Sequence, residues 1–257
     1  MGNEQDSEFK GLVALVTGAS SGIGAETAIA FGSLGAHVLV HCNHGRNQAE
    51  AVAGRIREAG GQATILQGDL STRAGISGLI EQLRESGLAP DILVNNAGSL
   101  IKRTPVLEFT PELWEQVFTL NLTSAFFLAQ AVLPGMIAKG RGFIVNVSSV
   151  AARNGGGIGA LAYAAAKGAL STVTKGLAKE FACQGIRVNA VSPGTIETNY
   201  HVTFSNPRVL ESVANATPAG RNGQPKEIAD TILYLCSERA SFIHGQVIEI
   251  NGGFLMA

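Results

Sequence analysis

Tyr163 and Lys167 stand four residues apart in YAAAKGAL, at the start of a strongly helical segment, so a phenol and an ammonium share one helix face. A tyrosine hydroxyl ordinarily titrates near pKa ~10. A lysine charge beside it favours the phenolate and lowers that value, which lets the hydroxyl exchange a proton near neutral pH. The spacing alone is commonplace and fits an exposed helix pair equally well. Position adds weight, because Ser149 ends the apolar run FIVNVSS upstream and brings a second hydroxyl toward the same helix start.

The stretch VTGASSGIG at 16–24 admits two chemistries. Gly18, Ser20 and Gly22 fit G-x-S-x-G, a nucleophile elbow in which Ser20 attacks an acyl group. Thr17, Gly18, Gly22 and Gly24 fit T-G-x-x-x-G-x-G, a turn through which a backbone approaches the phosphates of a dinucleotide. The turn follows a strand and opens the helical GIGAETAIAFGSLGA, as a phosphate cradle requires. An elbow needs an acid and then a histidine downstream. His201 and His244 lack an evident acidic partner, and no glycine-rich oxyanion loop precedes Ser20. A P-loop is excluded, since no Lys-Ser/Thr pair follows the glycines.

The elements that position these residues recur with a steady rhythm. Apolar runs at 12–17, 37–42, 63–67, 91–96, 143–149, 186–192 and 246–251 read as seven buried strands, with helical spacing between them. Such alternation predicts an α/β, doubly wound Rossmann fold: a mostly parallel sheet with helices on both faces. Ligands of such sheets bind beyond the carboxyl ends of the strands. No linker or repeat divides the chain, so residues 9–257 are expected to form one domain after a polar tail at 1–8.

Composition narrows the function classes. The 257 residues are 46% hydrophobic with net charge −1, which disfavours nucleic acid as a partner. No apolar stretch reads as the ~18 residues of a membrane span, and the polar N-terminus is not a secretory signal. Cys42, Cys183 and Cys236 are dispersed and odd in number, which argues against a disulfide framework and fits a reducing cytoplasm. His41 and His44 lack a third ligand, so no metal site is expected.

Taken together, TGASSGIG, Asp69 after the third strand, NNAG at 95–98, Asn121 in TLNLTSAF, NVSS, YAAAK, SPG at 192–194 and GQVIEINGG make the chain resemble the classical branch of the short-chain dehydrogenase/reductase family, from about residue 9 onward. The resemblance implies a catalytic tetrad of Asn121, Ser149, Tyr163 and Lys167. Tyr163 would exchange the proton of a carbonyl or alcohol oxygen as hydride moves to or from a nicotinamide, an oxidised ring helping to lower its pKa. Lys167 would hold the ribose, Ser149 the substrate oxygen, and Asn121 a water in a proton relay through its backbone. Ser148 is the rival serine; the family's residue is usually the one directly before the Val of SSV.

The same resemblance assigns the cofactor to Gly18, Ser20, Ser21, Gly22, Ile23 and Gly24, to Asp69 and Leu70 at the adenine, and to Asn96, Ala97 and Gly98 along the ribose. It adds Tyr163, Lys167, Pro193, Gly194, Ile196 and Thr198. Ordinary turn chemistry explains Asp69 and Asn96 equally well, whereas Gly98 leaves room for the cofactor's path. At the end of the second strand, Cys42 stands where an acidic residue would bind NAD, and Asn43, His44, Gly45 and Arg46 follow. NADP(H) is therefore favoured over NAD(H), although Ser21 stands where many NADP-preferring relatives carry an arginine.

Substrate selection is expected from a lid at about 195–219, with Asn199, Tyr200, His201 and Phe204 as candidates. The implied partner is a small-molecule ketone or alcohol. The chain is similar both to 3-oxoacyl-[acyl-carrier-protein] reductase-like members, for which Lys139, Arg141 and Lys179 are candidates to dock an acidic carrier, and to general carbonyl or sugar-type dehydrogenases. A catalytically silent dinucleotide-binding protein is the alternative from another class. Family members also suggest a homotetramer, paired through helices around 110–139 and 163–182 and through the last strand.

Overall fold

The computed structural model describes residues 8–198 and 207–256. Seven strands, β1 (Val13–Val16), β2 (His37–Cys42), β3 (Gln62–Gln67), β4 (Ile92–Asn95), β5 (Gly142–Val147), β6 (Ile186–Pro193) and β7 (Val247–Ile250), form one sheet in the order β3-β2-β1-β4-β5-β6-β7. Every neighbouring pair is parallel, so the expected "mostly parallel" sheet is wholly so. Chain order reverses between β1 and β4, where the connection after β3 must cross to the other side of β1. That reversal opens a crevice beyond the carboxyl ends of the two strands.

The period of two in each strand sorts its residues between two cores. Ala14, Val16, Val38, Val40, Ile92 and Val94 face the layer of α1 (Gly22–Ser33), α2 (Arg46–Glu58) and α9 (Pro225–Leu235). Leu15, Leu39, Leu93, Ile144 and Val188 face the layer of α3 (Arg73–Glu85), α5 (Ser124–Lys139) and α7 (Leu161–Phe181). Burying one such leucine fully contributes about 1.5–3 kcal/mol. Phe9 is buried edge-on against Phe31 at 5.0 Å, so the fold begins at the end of the expected tail, of which residues 1–7 lie outside the described residues.

Two departures from the sequence reading concern helices. Helix α4 (Pro111–Phe118), a π-helical turn at Thr119–Thr123 and α5 run on as one helical stretch, long and apolar enough by composition alone to cross a membrane. The search for unbroken apolar runs missed it because short polar breaks are averaged over such a length. Its Leu128, Ala129, Val132, Leu133 and Met136 are buried against the sheet, as in a core helix. Within the expected lid segment, to which the sequence assigns no helix, Pro207–Ala216 forms helix α8. Asn199, Tyr200, His201 and Phe204 lie outside the described residues.

Candidate functional site

The crevice at the β1–β4 reversal continues into a cavity of about 540 Å3. On one side β1 delivers the glycine turn. Thr17 is buried and its Oγ1 accepts from the amides of Asn96 and Ala97, both at 3.0 Å, while Asn96 Nδ2 donates to the carbonyls of Thr17 at 2.8 Å and Gly18 at 3.2 Å. These bonds stitch the turn after β1 to the turn after β4. Gly18 has φ 63°, in the left-handed region that favours glycine. A Cβ at Gly24 would lie 2.4 Å from Gly18 O, so only glycine lets α1 start this close to the turn.

The N-cap of α1, Ser21, makes no side-chain capping bond, and the first turn holds no acidic residue. The first amides of a helix point outward without intrahelical partners. Ser20, Ser21, Gly22 and Ile23 line the cavity there, so partial positive charge faces it, as an anion such as a diphosphate requires.

His41 buttresses this turn. It is buried at the carboxyl end of β2; its Nδ1 accepts from Gly18 N at 3.1 Å, and its Nε2 lies 3.0 Å from Gly68 O. Since an amide only donates, Nδ1 is the bare nitrogen and Nε2–H donates to the carbonyl. Burial pushes its pKa down to about 4, which keeps this neutral tautomer.

On the other side, Ser149 and Tyr163 are hydrogen-bonded and both line the cavity. Ser148, the rival, turns into α7, with its Oγ 2.8 Å from Ser171 Oγ and donating to Lys167 O at 3.1 Å. Neighbours on a strand end point to opposite sides. Lys167 is 2% exposed, its Nζ donates to Val147 O at 2.6 Å, and it lies 5.7 Å from the Tyr163 ring centroid. One bond leaves two of its N–H donors for a ligand.

The expectation that Lys167 lowers the tyrosine pKa is corrected by burial. Burial is the larger effect and raises the Tyr163 value, against the lowering by Ser149; burial also brings Lys167 down to about 7. With the ammonium itself weakened by desolvation, its pull toward a phenolate is reduced.

Asn121 sits in the π-helical turn. Its Nδ2 donates to Ser99 O at 2.8 Å and Val117 O at 2.9 Å, and its Oδ1 accepts from Ser99 N at 3.1 Å. Its side chain is thus spent on structure, as a role through the backbone would require. A Cβ at Gly98 would lie 2.7 Å from Asn121 Oδ1 and 2.9 Å from Lys167 Nζ. The missing side chain at 98 thus makes room for these two groups, and Gly98 itself lines the cavity.

Of the remaining expected cofactor residues, Gly18, Asn43, His44, Leu70, Asn96, Ala97, Pro193, Gly194, Ile196 and Thr198 line the cavity. Gly24, Arg46 and Asp69 do not. Asp69 Oδ1 accepts from Ser71 N at 2.9 Å ahead of α3, and Arg46 turns toward Gln67 and Glu50. With no carboxylate at the end of β2 and an uncapped helix start, the donors present fit a dinucleotide.

Two other expectations fail on placement. Lys139 bonds Asp91 Oδ1 at 2.7 Å, Arg141 precedes β5, and Lys179 lies near the end of α7. In a parallel sheet these positions cluster at the amino ends of the strands, opposite the cavity, so a carrier docked there could not deliver an acyl chain. His244 precedes β7 at that same far edge, out of reach of Ser20, while both nitrogens of His41 are occupied. His201, the other base considered for a hydrolase, is outside the described residues.

Residues 18–255 match the family described as enoyl-(acyl carrier protein) reductase. The chain is 37% identical over 248 residues to the 3-oxoacyl-[acyl-carrier-protein] reductase of Escherichia coli (strain K12), with 96% of this chain and 99% of the relative covered. A 3-oxoacyl-[acyl-carrier protein] reductase from Brucella melitensis with bound NAD superposes with TM-score 0.90 at 36% identity, covering 98% and 95% of the two chains. The angucycline C-6 ketoreductase LanV with bound NADP superposes with TM-score 0.88 at 33% identity, covering 98% of each.

Proposed function

The chain belongs to the short-chain dehydrogenase/reductase family, in its 3-oxoacyl-[acyl-carrier-protein] reductase-like group, and from that premise we propose that it interconverts a ketone and a secondary alcohol with NADP(H). The observation that carries the reading is the Ser149–Tyr163 hydrogen bond beside Lys167, in the cavity onto which the glycine turn opens. When bound, the dinucleotide supplies or accepts the hydride. Tyr163, kept protonated by burial, donates its proton to the carbonyl oxygen in reduction and accepts it back in oxidation. Ser149 donates a hydrogen bond to the same oxygen and stabilises the charge that develops there. Lys167 directs its two remaining donors at the ribose hydroxyls, and Asn121, through its backbone in the π-helical turn, anchors a water that resupplies the proton.

The preference for NADP(H) rests on the end of β2, where Asn43, His44 and Gly45 line the cavity and no carboxylate repels a 2′-phosphate. Arg46 is left out of that reading because it pairs with Glu50. Assembly as a homotetramer is supported by the apolar side chains of Trp114 and Phe126, exposed on α4 and α5, and light scattering tests it. Activity is tested by oxidation of NADPH and NADH, side by side, over a panel of ketones that includes a β-ketoacyl thioester. Turnover faster with NADPH is expected, and Tyr163→Phe should lower kcat about 10²–10⁴-fold while NADPH still binds. Retained turnover in Tyr163→Phe overturns the assignment, and NADPH binding without activity on any ketone indicates a silent dinucleotide-binding protein.

A further inference from the structure

One wall of the cavity carries a cation with no acidic partner. Arg103 lines the cavity, and among the described residues no carboxylate lies within ion-pair distance of it. Arg153, in the short helix Ala151–Asn154, is by contrast held by Glu249 at 3.1 Å. Arg103 Nη1 donates to Ile158 O at 2.7 Å, which ties the guanidinium to the 150–160 loop joining Ser149 to Tyr163. That tie places the charge on the side of the cavity where the carbonyl reacts.

The segment bearing Arg103 is built to hold one shape. Ser99 is fixed by two bonds to Asn121, and Thr104 N donates to Gly159 O at 3.1 Å. Between them Ile101 has φ 61°, the only described non-glycine residue with positive φ. A β-branched residue pays heavily in that region, and such strain persists where the surroundings over-determine it, as they do around ligand sites. A Cβ at Gly159 would lie 2.7 Å from Arg103 Cγ, so the glycine leaves a passage for the arginine stem. Ile158 beside it is 90% exposed, and Val213 and Phe254 add apolar surface to the same cavity.

We propose that Arg103 determines substrate specificity by receiving an anionic oxygen group, carboxylate or phosphate, carried by the ketone at a distance from its carbonyl. The proposal rests on the reductase reading above. A planar guanidinium binds either group through paired, charge-assisted hydrogen bonds, which a neutral ester cannot match. The substrates are then oxo acids or oxo phosphates with an apolar body, and neutral ketones of the same shape are poor ones.

The test uses the full chain with NADPH and a series of oxo acids whose carbonyl lies at increasing distance from the carboxylate, each against its methyl ester, with an oxoalkyl phosphate series in parallel. At the best length the acid or the phosphate is expected to exceed the ester at least ~10-fold in kcat/KM, chiefly through KM. The better series identifies the anion. Arg103→Leu should bring the acid-to-ester ratio toward one, and Arg103→Lys should restore part of it. A ratio near one in the unaltered enzyme, or one that Arg103→Leu leaves intact while both rates fall, overturns the proposal and assigns Arg103 to structure. If esters and acids alike are not reduced with either cofactor, the reductase reading falls and this inference with it.

Discussion

In the half of the cavity built by β1, β2 and β4, the polar side chains that shape the wall are already engaged: Thr17 and Asn96 bind two turns together, and His41 spans Gly18 and Gly68. In the half built by β5 and α7 the polar groups are held more loosely. Lys167 uses one donor of three at a cost in desolvation, and Tyr163 meets Ser149 at the edge of open space. The first half gains its shape from backbone partners, with the uncapped amides at the start of α1 left facing the cavity. The second spends fewer of its polar groups on internal bonds, the arrangement expected of groups that act on a substrate.

The sharpest way to break this contrast is within the second half, because Ser148 and Ser149 are adjacent yet face opposite ways. Ser149→Ala should lower kcat about 10²–10³-fold, the scale for losing one donor to a developing oxyanion. Ser148→Ala should leave kcat within a fewfold and lower the melting temperature instead, since its hydroxyl serves Ser171 and the Lys167 carbonyl. Steady-state kinetics and thermal denaturation of both variants decide it; reversed effects would mean that Ser148 serves the substrate.

The next largest effect belongs to the first half. Gly24→Ala drives a Cβ to 2.4 Å from Gly18 O, and the turn must move to accept it. Displacing a positioning element by about 1 Å costs on the order of 10²-fold, so kcat/KM for the cofactor should fall by that order. Bound ketone should be handled normally once saturating cofactor compensates. His41→Phe should act in the same direction but less, about tenfold in cofactor KM, because it leaves the Gly18 amide and Gly68 carbonyl without partners. His41→Gln, whose amide both donates and accepts, should recover part of the loss. Equal cofactor KM in all three proteins would show that the turn holds itself.

What was legible in the sequence divides along the same line. The strands were found because parallel sheets bury both faces and write continuous apolar runs, and the Tyr163–Lys167 spacing survives folding because a helix converts it directly into a shared face. His41 was not legible. Its role depends on Gly68, 27 residues away, which β2–β3 pairing brings alongside. The weakened charge effect at Tyr163 was hidden for a related reason: burial of Lys167 comes from β5 and the Gly98 approach, and neither is a property of YAAAK. Arg46 and Lys139 read as free cations until Glu50 and Asp91 were found beside them.

The smallest predicted effect tests whether the second half truly carries a cost. Lys167 titrates ordinarily near 10.5 and in the folded protein near 7, with burial as the cause. Between those values the unfolded chain binds more protons than the folded one, so stability rises with pH across that window and the penalty is greatest below pH ~7. Lys167→Met removes the penalty along with the bond to Val147 O. The variant should therefore melt higher relative to the unaltered protein at pH 6 than at pH 10, by a few degrees, in the absence of cofactor. Saturating NADPH should narrow the difference, because ribose hydroxyls that engage the ammonium offset its desolvation. Melting curves of both proteins across pH 6–10, with and without NADPH, test this. A difference independent of pH would mean that Lys167 keeps its charge cheaply when the site is empty, and that the two halves of the cavity are equally finished before a ligand arrives.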